Sequence, residues 1–273
     1  MAKKLVRAAD LPEDASNKAF EEQVANWKPT PEAKQQATTL RIIALVAWVV
    51  AIGAEAFAIF WMLKQSPFTT TMLIWLCVAI VVIGALSVTG SLLWKKANRL
   101  DPASKKDTVR FFVQNQLGAF IAVLAFLPLI VMVLTNKNMD GKQKAIAGGL
   151  AAILAVVAIA FGVSPNPPSK EGVVADSNQV VQLTGKDEVF WTKSGEVYHL
   201  CEKASAVNLQ SADNTIYSGT VAQAVAAGKS RLTKQVDQEV KQCGITPPSV
   251  APSVAPSESG SAPASPEPSA SPS

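Results

Sequence analysis

Four stretches of about 20 apolar residues, following one another between Leu40 and Val163, constrain this chain more than any other feature. A soluble domain spreads its apolar residues with a period of about 2 or 3.6. Here they are gathered into runs, while both ends of the chain are polar. A run of about 20 residues is what a helix needs to cross a hydrocarbon core of about 30 Å. In lipid the backbone must satisfy its own hydrogen bonds, so such runs predict helices. The expected fold class is therefore mainly α and integral to a membrane. It comprises a four-helix transmembrane bundle over residues 40–164, a small α+β C-terminal domain and a disordered tail.

The expected spans are 42–63, 71–94, 111–134 and 145–163. Arg41 and Lys64 bracket the first, with Trp61 at the border where indole rings prefer to lie. Pro67 precedes the second, and Lys95 and Lys96 stop it. The third has a polar first turn, Gln114, Asn115 and Gln116, and is expected to kink at Pro128. The run Ser164 to Pro168 ends the fourth. The start of the chain is basic but no apolar core follows before Asp10 and Pro12, so the first span is expected to drive insertion without a signal peptide.

The polar ends divide further. Residues 1–39 are charged, with a short helix expected from a Ser16 cap to about Lys28. Phe20, Val24 and Trp27 share one face of it, which suits a docking or membrane-surface helix. Residues 173–246 read as the α+β domain. Val189–Thr192 and Glu196–Leu200 form an expected hairpin about a turn at Lys193–Gly195. Thr220 should cap a helix that Gly228 stops, and a second polar helix is expected over Leu232 to Gln242. Residues 247–273 are mostly Pro, Ser and Ala, with two glutamates, and cannot offset the entropy of ordering.

Charge sets the topology. The N-terminal flank carries Lys28, Lys34 and Arg41, and the loop between the second and third spans carries Lys95, Lys96, Arg99, Lys105, Lys106 and Arg110. The opposite side carries Lys64, Lys137, Lys142 and Lys144. Lys and Arg concentrate on the cytoplasmic side, so the N-terminus is expected there, and helix parity places the C-terminal domain with it. Lys142 and Lys144 ahead of the fourth span, and the tail's composition, favour the other side. A third segment bent back at Pro128 would put the domain outside. The net charge of +4 does not indicate nucleic acid, because the cations flank apolar runs rather than forming one face of a folded domain.

Few residues carry chemistry. Glu55 lies well inside the first span beside Gly53. A carboxylate in hydrocarbon is costly, so Glu55 should be protonated, paired or facing a protein interior. As an ion or proton site it would centre a transporter; as a neutral acid it would bond Ser87, Thr89 or Ser91 of the second span. The structural reading is preferred, because no Lys, Arg or His lies deep in another span to complete a relay. A ladder of small residues, Ala147, Gly148, Ala151, Ala152, Ala155, Ala158 and Gly162, suits close helix contact. Cys77 reads as an inert apolar residue in the second span. Cys201 and Cys243 either pair, in an oxidising compartment, or are free thiols in the cytoplasm. His199 is the single histidine, and no Ser-His or Cys-His set, phosphate loop or complete metal spacing accompanies it. The chain is expected not to be an enzyme and to hold no cofactor.

Val189-Phe190-Trp191-Thr192, Gly195 and Tyr198-His199-Leu200, with Gly219-Thr220 and Ala227 to Leu232, resemble the start of a small zinc module that follows membrane spans or nuclease-like domains in many bacterial proteins. The resemblance covers about residues 189–236. Its pattern places a Cys five residues after the His and ends in Leu-Cys-x-x-Cys; here those positions hold Ala204, Thr233 and Val236. The resemblance implies a domain that keeps the fold without the metal. His199 would be a remnant ligand position, and Cys201 and Cys243 would replace the metal with a disulfide.

The whole chain, in its order of polar N-terminus, four spans and Pro/Ser tail, is also similar to actinobacterial membrane proteins. Among these is an accessory component of the cytochrome bcc–oxidase respiratory supercomplex. That resemblance implies a non-enzymatic accessory or assembly protein of the bacterial plasma membrane, with lipids and a larger membrane complex as its partners. The alternatives are a small ion-coupled transporter centred on Glu55, or an envelope sensor whose C-terminal module binds a ligand.

Overall fold

The computed structural model describes residues 13–210 and 213–246, so the expected tail 247–273 lies outside the described residues. The chain is mostly helical. After α1 (Glu13–Asn26) come four long helices, α2 (Pro31–Phe60), α3 (Thr70–Leu100), α4 (Thr108–Thr135) and α5 (Gly141–Gly162). All four are long and apolar enough to cross a membrane.

The helices outrun the expected spans at the end of the bundle that carries the polar domain. α2 begins at Pro31, eleven residues before Ile42, because Thr30 caps it and accepts the Ala33 amide at 3.2 Å, and Pro31 suits a first turn. α3 runs six residues past Trp94. The two extensions pack on each other through Ala33, Ala37, Ala97 and Leu100, all buried. Length of apolar run finds the apolar part of a helix, not its polar continuation. The other starts are capped as well: Thr69 for α3, Asp107 for α4, and Asp140 with Gln143 in a reciprocal capping box for α5. A 3-10 turn, Met62–Lys64, follows α2. α1 is already helical at Glu13, so Ser16 is not its cap.

α4 is one helix from Thr108 to Thr135 with Pro128 inside it, which corrects the alternative of a segment bent back on itself. Its polar first turn is used inside the molecule. The Gln114 carbonyl accepts the Trp94 indole N–H at 2.9 Å and also the Asn98 side-chain amide. The Gln114 side chain accepts the Ala103 amide at 2.9 Å. These bonds close the α3–α4 loop, whose Asp101 carboxylate takes Arg41 at 2.8 Å and Arg110 at 3.0 Å. Three helices are tied at this end by groups that would be costly to bury unpaired.

The bundle core holds large residues from α3 and α4, including Leu76, Ile80, Ile83, Phe126 and Leu129, against small ones from α2 and α5. Of the expected ladder on α5, Ala147, Gly148, Ala151, Ala155, Ala158 and Gly162 are buried, whereas Ala152 is exposed. A side chain on Gly162 would collide with the backbone of Gly118 and Ala119, and one on Gly118 would sit 3.1 Å from the Gly162 Cα. The two backbones touch, which only glycines allow.

The C-terminal domain begins with α6 (Lys170–Thr184), a helix that was not expected from the sequence. β1 (Val189–Thr192), β2 (Val197–Tyr198), α7 (Ser205–Gln210), β3 (Ile216–Gly219), α8 (Val221–Ala226), β4 (Arg231–Leu232) and α9 (Val236–Gln242) follow. The expected hairpin is corrected. β1 pairs antiparallel with β3, in register Val189 to Gly219, and β2 pairs parallel with β4. Only a reciprocal bridge between Phe190 and His199 joins β1 to the β2 segment. The expected helix over Leu232 to Gln242 is also shorter, because Leu232 is in β4. Thr220 and Gln223 form a capping box on α8, and Gly228, at φ 85°, follows that helix in the left-handed region that favours glycine.

The domain sits against the same end of the bundle as α1. Val24 is buried, and Trp27 packs on the domain core of Val180, Trp191, Tyr198 and Val225. Lys106 pairs with Glu21 at 2.8 Å and Arg99 with Glu196 at 3.0 Å. The Glu171 carboxylate accepts from the Ser104 hydroxyl at 2.5 Å and from the Lys105 amide at 3.0 Å. Burial pushes the Glu171 carboxyl up, but these bonds and the Lys105 charge outweigh it and hold it below the usual carboxylate range.

Candidate functional site

Glu55 lies on the buried face of α2 between Ala51 and Ala58, and is 4% exposed. The bundle positions it by register. Trp48, seven residues earlier, donates its indole N–H to the Ser87 carbonyl at 3.3 Å and lies against Gly90. α2 packs along α3, whose Leu76, Ile80 and Ile83 belong to the same core as Ala51 and Ala58 on either side of Glu55. From α4 it is approached by the Leu129 backbone, one residue past Pro128.

The expected partners of Glu55 do not meet it. Thr89 faces outward. Ser87 and Ser91 are buried, but their hydroxyls have no hydrogen-bond partner among the described residues. Glu55 Oε1 is likewise buried without a partner. Spacing along each helix was readable from the sequence; the offset between helices, which decides the pairing, was not.

The second candidate is the end of the C-terminal domain. His199 is buried, with Nδ1 2.6 Å from Glu239 Oε1, while the other Glu239 oxygen accepts the Leu200 amide at 3.0 Å. One turn along α9, Cys243 is joined to Cys201 as a disulfide with Cα atoms 6.3 Å apart. Residues two apart just after β2 thus meet Glu239 of α9 and Cys243 at its C-terminal cap, four residues apart, and two links of different chemistry run side by side. Glu239 was overlooked in the sequence. Its signal was the match between the His199–Cys201 and Glu239–Cys243 spacings, a strand period facing a helix period.

The three positions where the zinc module has cysteines are filled by packing. Ala204 is buried, Thr233 is buried with its amide donating to the Tyr198 carbonyl at 2.9 Å, and Val236 is half-buried. Among the described residues no three His, Cys, Asp or Glu side chains gather as a metal site. His199 Nε2 is buried with no partner among the described residues, beside a cavity of about 560 Å³ bounded by Thr233 and Arg231. A carboxylate-held imidazole with one open nitrogen is half of a nucleophile–base set, or one ligand of several. No hydroxyl or thiol among the described residues bonds to that nitrogen.

Two further buried polar groups hold the domain and were not anticipated. The Lys229 ammonium donates to the carbonyls of Thr192 at 2.6 Å, Gly195 at 2.6 Å and Lys193 at 3.1 Å, closing the turn after β1. Burial, with the Arg99 charge, lowers its pKa. The Tyr198 hydroxyl donates to Asp176 of α6, which also accepts the Leu232 amide at 2.7 Å. Burial first, and then the Asp176 charge, push the Tyr198 phenol well above its ordinary value.

Compared with protein families, curated proteins and solved structures, the chain shows no significant match to any.

Proposed function

We propose that this chain is a non-enzymatic multi-pass protein of a bacterial plasma membrane that serves as an accessory or assembly component of a larger membrane complex. The Lys and Arg of the shared polar end and helix parity support a cytoplasmic side for it, whereas the Cys201–Cys243 disulfide by itself calls for an oxidising compartment, so the side of the domain is the point on which this reading is most exposed. The observation that carries the reading is the clamp between bundle and domain. The Asp101 network, the Glu171 bonds, the Arg99–Glu196 pair and the docked α1 fasten the polar domain to the bundle end. Such an arrangement suits a membrane-anchored platform for a partner. Purification of the tagged full chain in mild detergent is expected to yield a stoichiometric complex that survives size exclusion. A chain that elutes alone from membranes extracted under several mild conditions contradicts the reading. A respiratory supercomplex is the partner implied by the resemblance in layout, and identifying the co-eluting subunits tests it.

One observation favours the transporter instead: the unpartnered oxygen of Glu55 in the bundle core. Substitution separates the two. In an accessory protein Glu55→Gln leaves folding and association nearly unchanged, while Glu55→Leu weakens association by about 1 kcal/mol. Loss of a measurable ion flux in Glu55→Gln, with the protein folded and its complexes intact, replaces the accessory reading with the transporter.

A further inference from the structure

The bundle and the domain enclose a cavity of about 660 Å³ where they meet. That volume lies in the range of sites that hold small molecules. Its height is fixed by the chain. Lys95 follows Trp94 at the end of the apolar part of α3, Phe111 opens α4, and the Pro-rich connection 164–169 leaves α5. In a membrane-embedded bundle, this is where hydrocarbon gives way to headgroups.

The cavity is cationic. Lys95, Arg99, Lys105 and Arg231 line it, against Asp176 and Glu196. Both acids are engaged: Asp176 takes the Tyr198 hydroxyl and the Leu232 amide, and Glu196 takes Arg99 at 3.0 Å. Lys105 feels the Glu171 charge, and Arg231 gives one N–H to the Leu232 carbonyl. Lys95 is half-buried and has no acid within ion-pair distance among the described residues. A half-buried ammonium one helical turn from a guanidinium, with no counter-charge of its own, is an incomplete ion pair. A phosphate diester completes it, and basic pockets beside spans at the cytoplasmic face are suited to anionic headgroups.

We propose that this junction cavity binds the phosphate of an anionic phospholipid headgroup, with Lys95 as the principal contact and Arg99 and Lys105 around it. The lipid's acyl chains lie along the apolar outer faces of the bundle, and its headgroup completes the joint between bundle and domain. The proposal rests on the membrane placement of the four helices but not on the accessory role.

The test uses the full chain in mild detergent. Phosphatidylglycerol and phosphatidylcholine with the same acyl chains are titrated separately, and retained lipid is counted by native mass spectrometry. One phosphatidylglycerol per chain is expected, held about 10-fold tighter than phosphatidylcholine, whose phosphate is the same but whose choline cation is repelled by Lys95, Arg99 and Lys105 in the cavity. Lys95→Gln abolishes that preference. Lys95→Arg keeps it, and Lys96→Gln, a change at an exposed neighbour outside the cavity, leaves it intact. An unchanged melting temperature shows that Lys95→Gln is folded. Glycerol 3-phosphate and inorganic phosphate form the second arm, and each is expected to displace the lipid only at much higher concentration. Displacement at equal or lower concentration assigns the site to a soluble phosphate and overturns the lipid. Equal retention of both lipids, or a preference that survives Lys95→Gln, overturns the site. Co-purification of a protein partner is unaffected by either outcome, so failure here is distinct from failure of the accessory reading.

Discussion

The bundle and the C-terminal domain of this chain hold together by opposite means. The bundle relies on area and closeness. Its outer faces are apolar, its core is almost wholly apolar, and its tightest contact is backbone on backbone at Gly118 and Gly162. The domain is a small unit with short strands and relies on point links: a disulfide, a His–Glu pair, a buried ammonium on three carbonyls and a tyrosine on an aspartate. A helix in lipid satisfies its own backbone, so its association needs only shape. A domain this small buries too little apolar surface to be stable on its core alone, and added links make up the difference.

Breaking the disulfide should give the largest effect and confine it to one region. Cys201→Ser with Cys243→Ser opens a loop of 42 residues. It is expected to destabilise the domain by about 4 kcal/mol while the bundle keeps its helicity. Limited proteolysis beside circular dichroism checks this: rapid cleavage within 189–243 with the four long helices intact is the expected pattern. Simultaneous loss of both would show that the two regions fold as one unit.

The converse change belongs to the bundle. Gly162→Ala drives a methyl group into the Gly118 and Ala119 backbone and should cost about 2 kcal/mol by forcing α4 and α5 apart. Thermal unfolding in detergent measures it. Ala152→Leu, on the exposed side of the same helix, should be nearly neutral. Equal effects from the two would mean that α5 does not pack as described.

A smaller effect is expected at the joint. The Glu171 carboxyl is held below its ordinary value in the folded state, so it stabilises the joint above the ordinary carboxylate range. That contribution is lost as pH falls through the folded value. Glu171 is partly exposed, so the contribution is about 1 kcal/mol. Glu171→Gln should reproduce the acid effect at neutral pH, and hydrogen exchange at Ser104 to Lys106 reads it. If exchange there is unmoved by the substitution or by acid, Glu171 does not hold the domain to the bundle.

The same contrast explains what was legible in the sequence. Run length located the four long helices, because about 20 consecutive apolar residues specify a helix without reference to its neighbours. It missed their polar extensions, such as Pro31–Arg41, whose alanines are buried only against the α3 extension. It misjudged Glu55's partners, because helix offset is set by contacts such as Trp48 on Ser87 and Gly90. In the domain the local signals survived, including the Thr220 cap and the Gly228 stop. The hairpin between Val189–Thr192 and Glu196–Leu200 did not, since the long-range partner β3 takes the β1 edge that sequence proximity would give to β2. The Glu239 partner of His199 lies forty residues away, and only the paired spacings His199–Cys201 and Glu239–Cys243 pointed to it.

The account depends most on the four helices crossing a membrane with both polar parts on its cytoplasmic side. Single cysteines at the exposed positions Lys18, Lys106, Lys193 and Lys142, in a Cys77→Ala background, can be probed with a membrane-impermeant maleimide on sealed cells. Lys142 lies at the opposite end of the bundle from the other three. The account predicts that the cysteine at 142 is labelled on intact cells, while those at 18, 106 and 193 are labelled only after lysis. Labelling at 193 on intact cells, with 18 and 106 protected, would place the disulfide-linked domain outside and contradict the shared-end architecture.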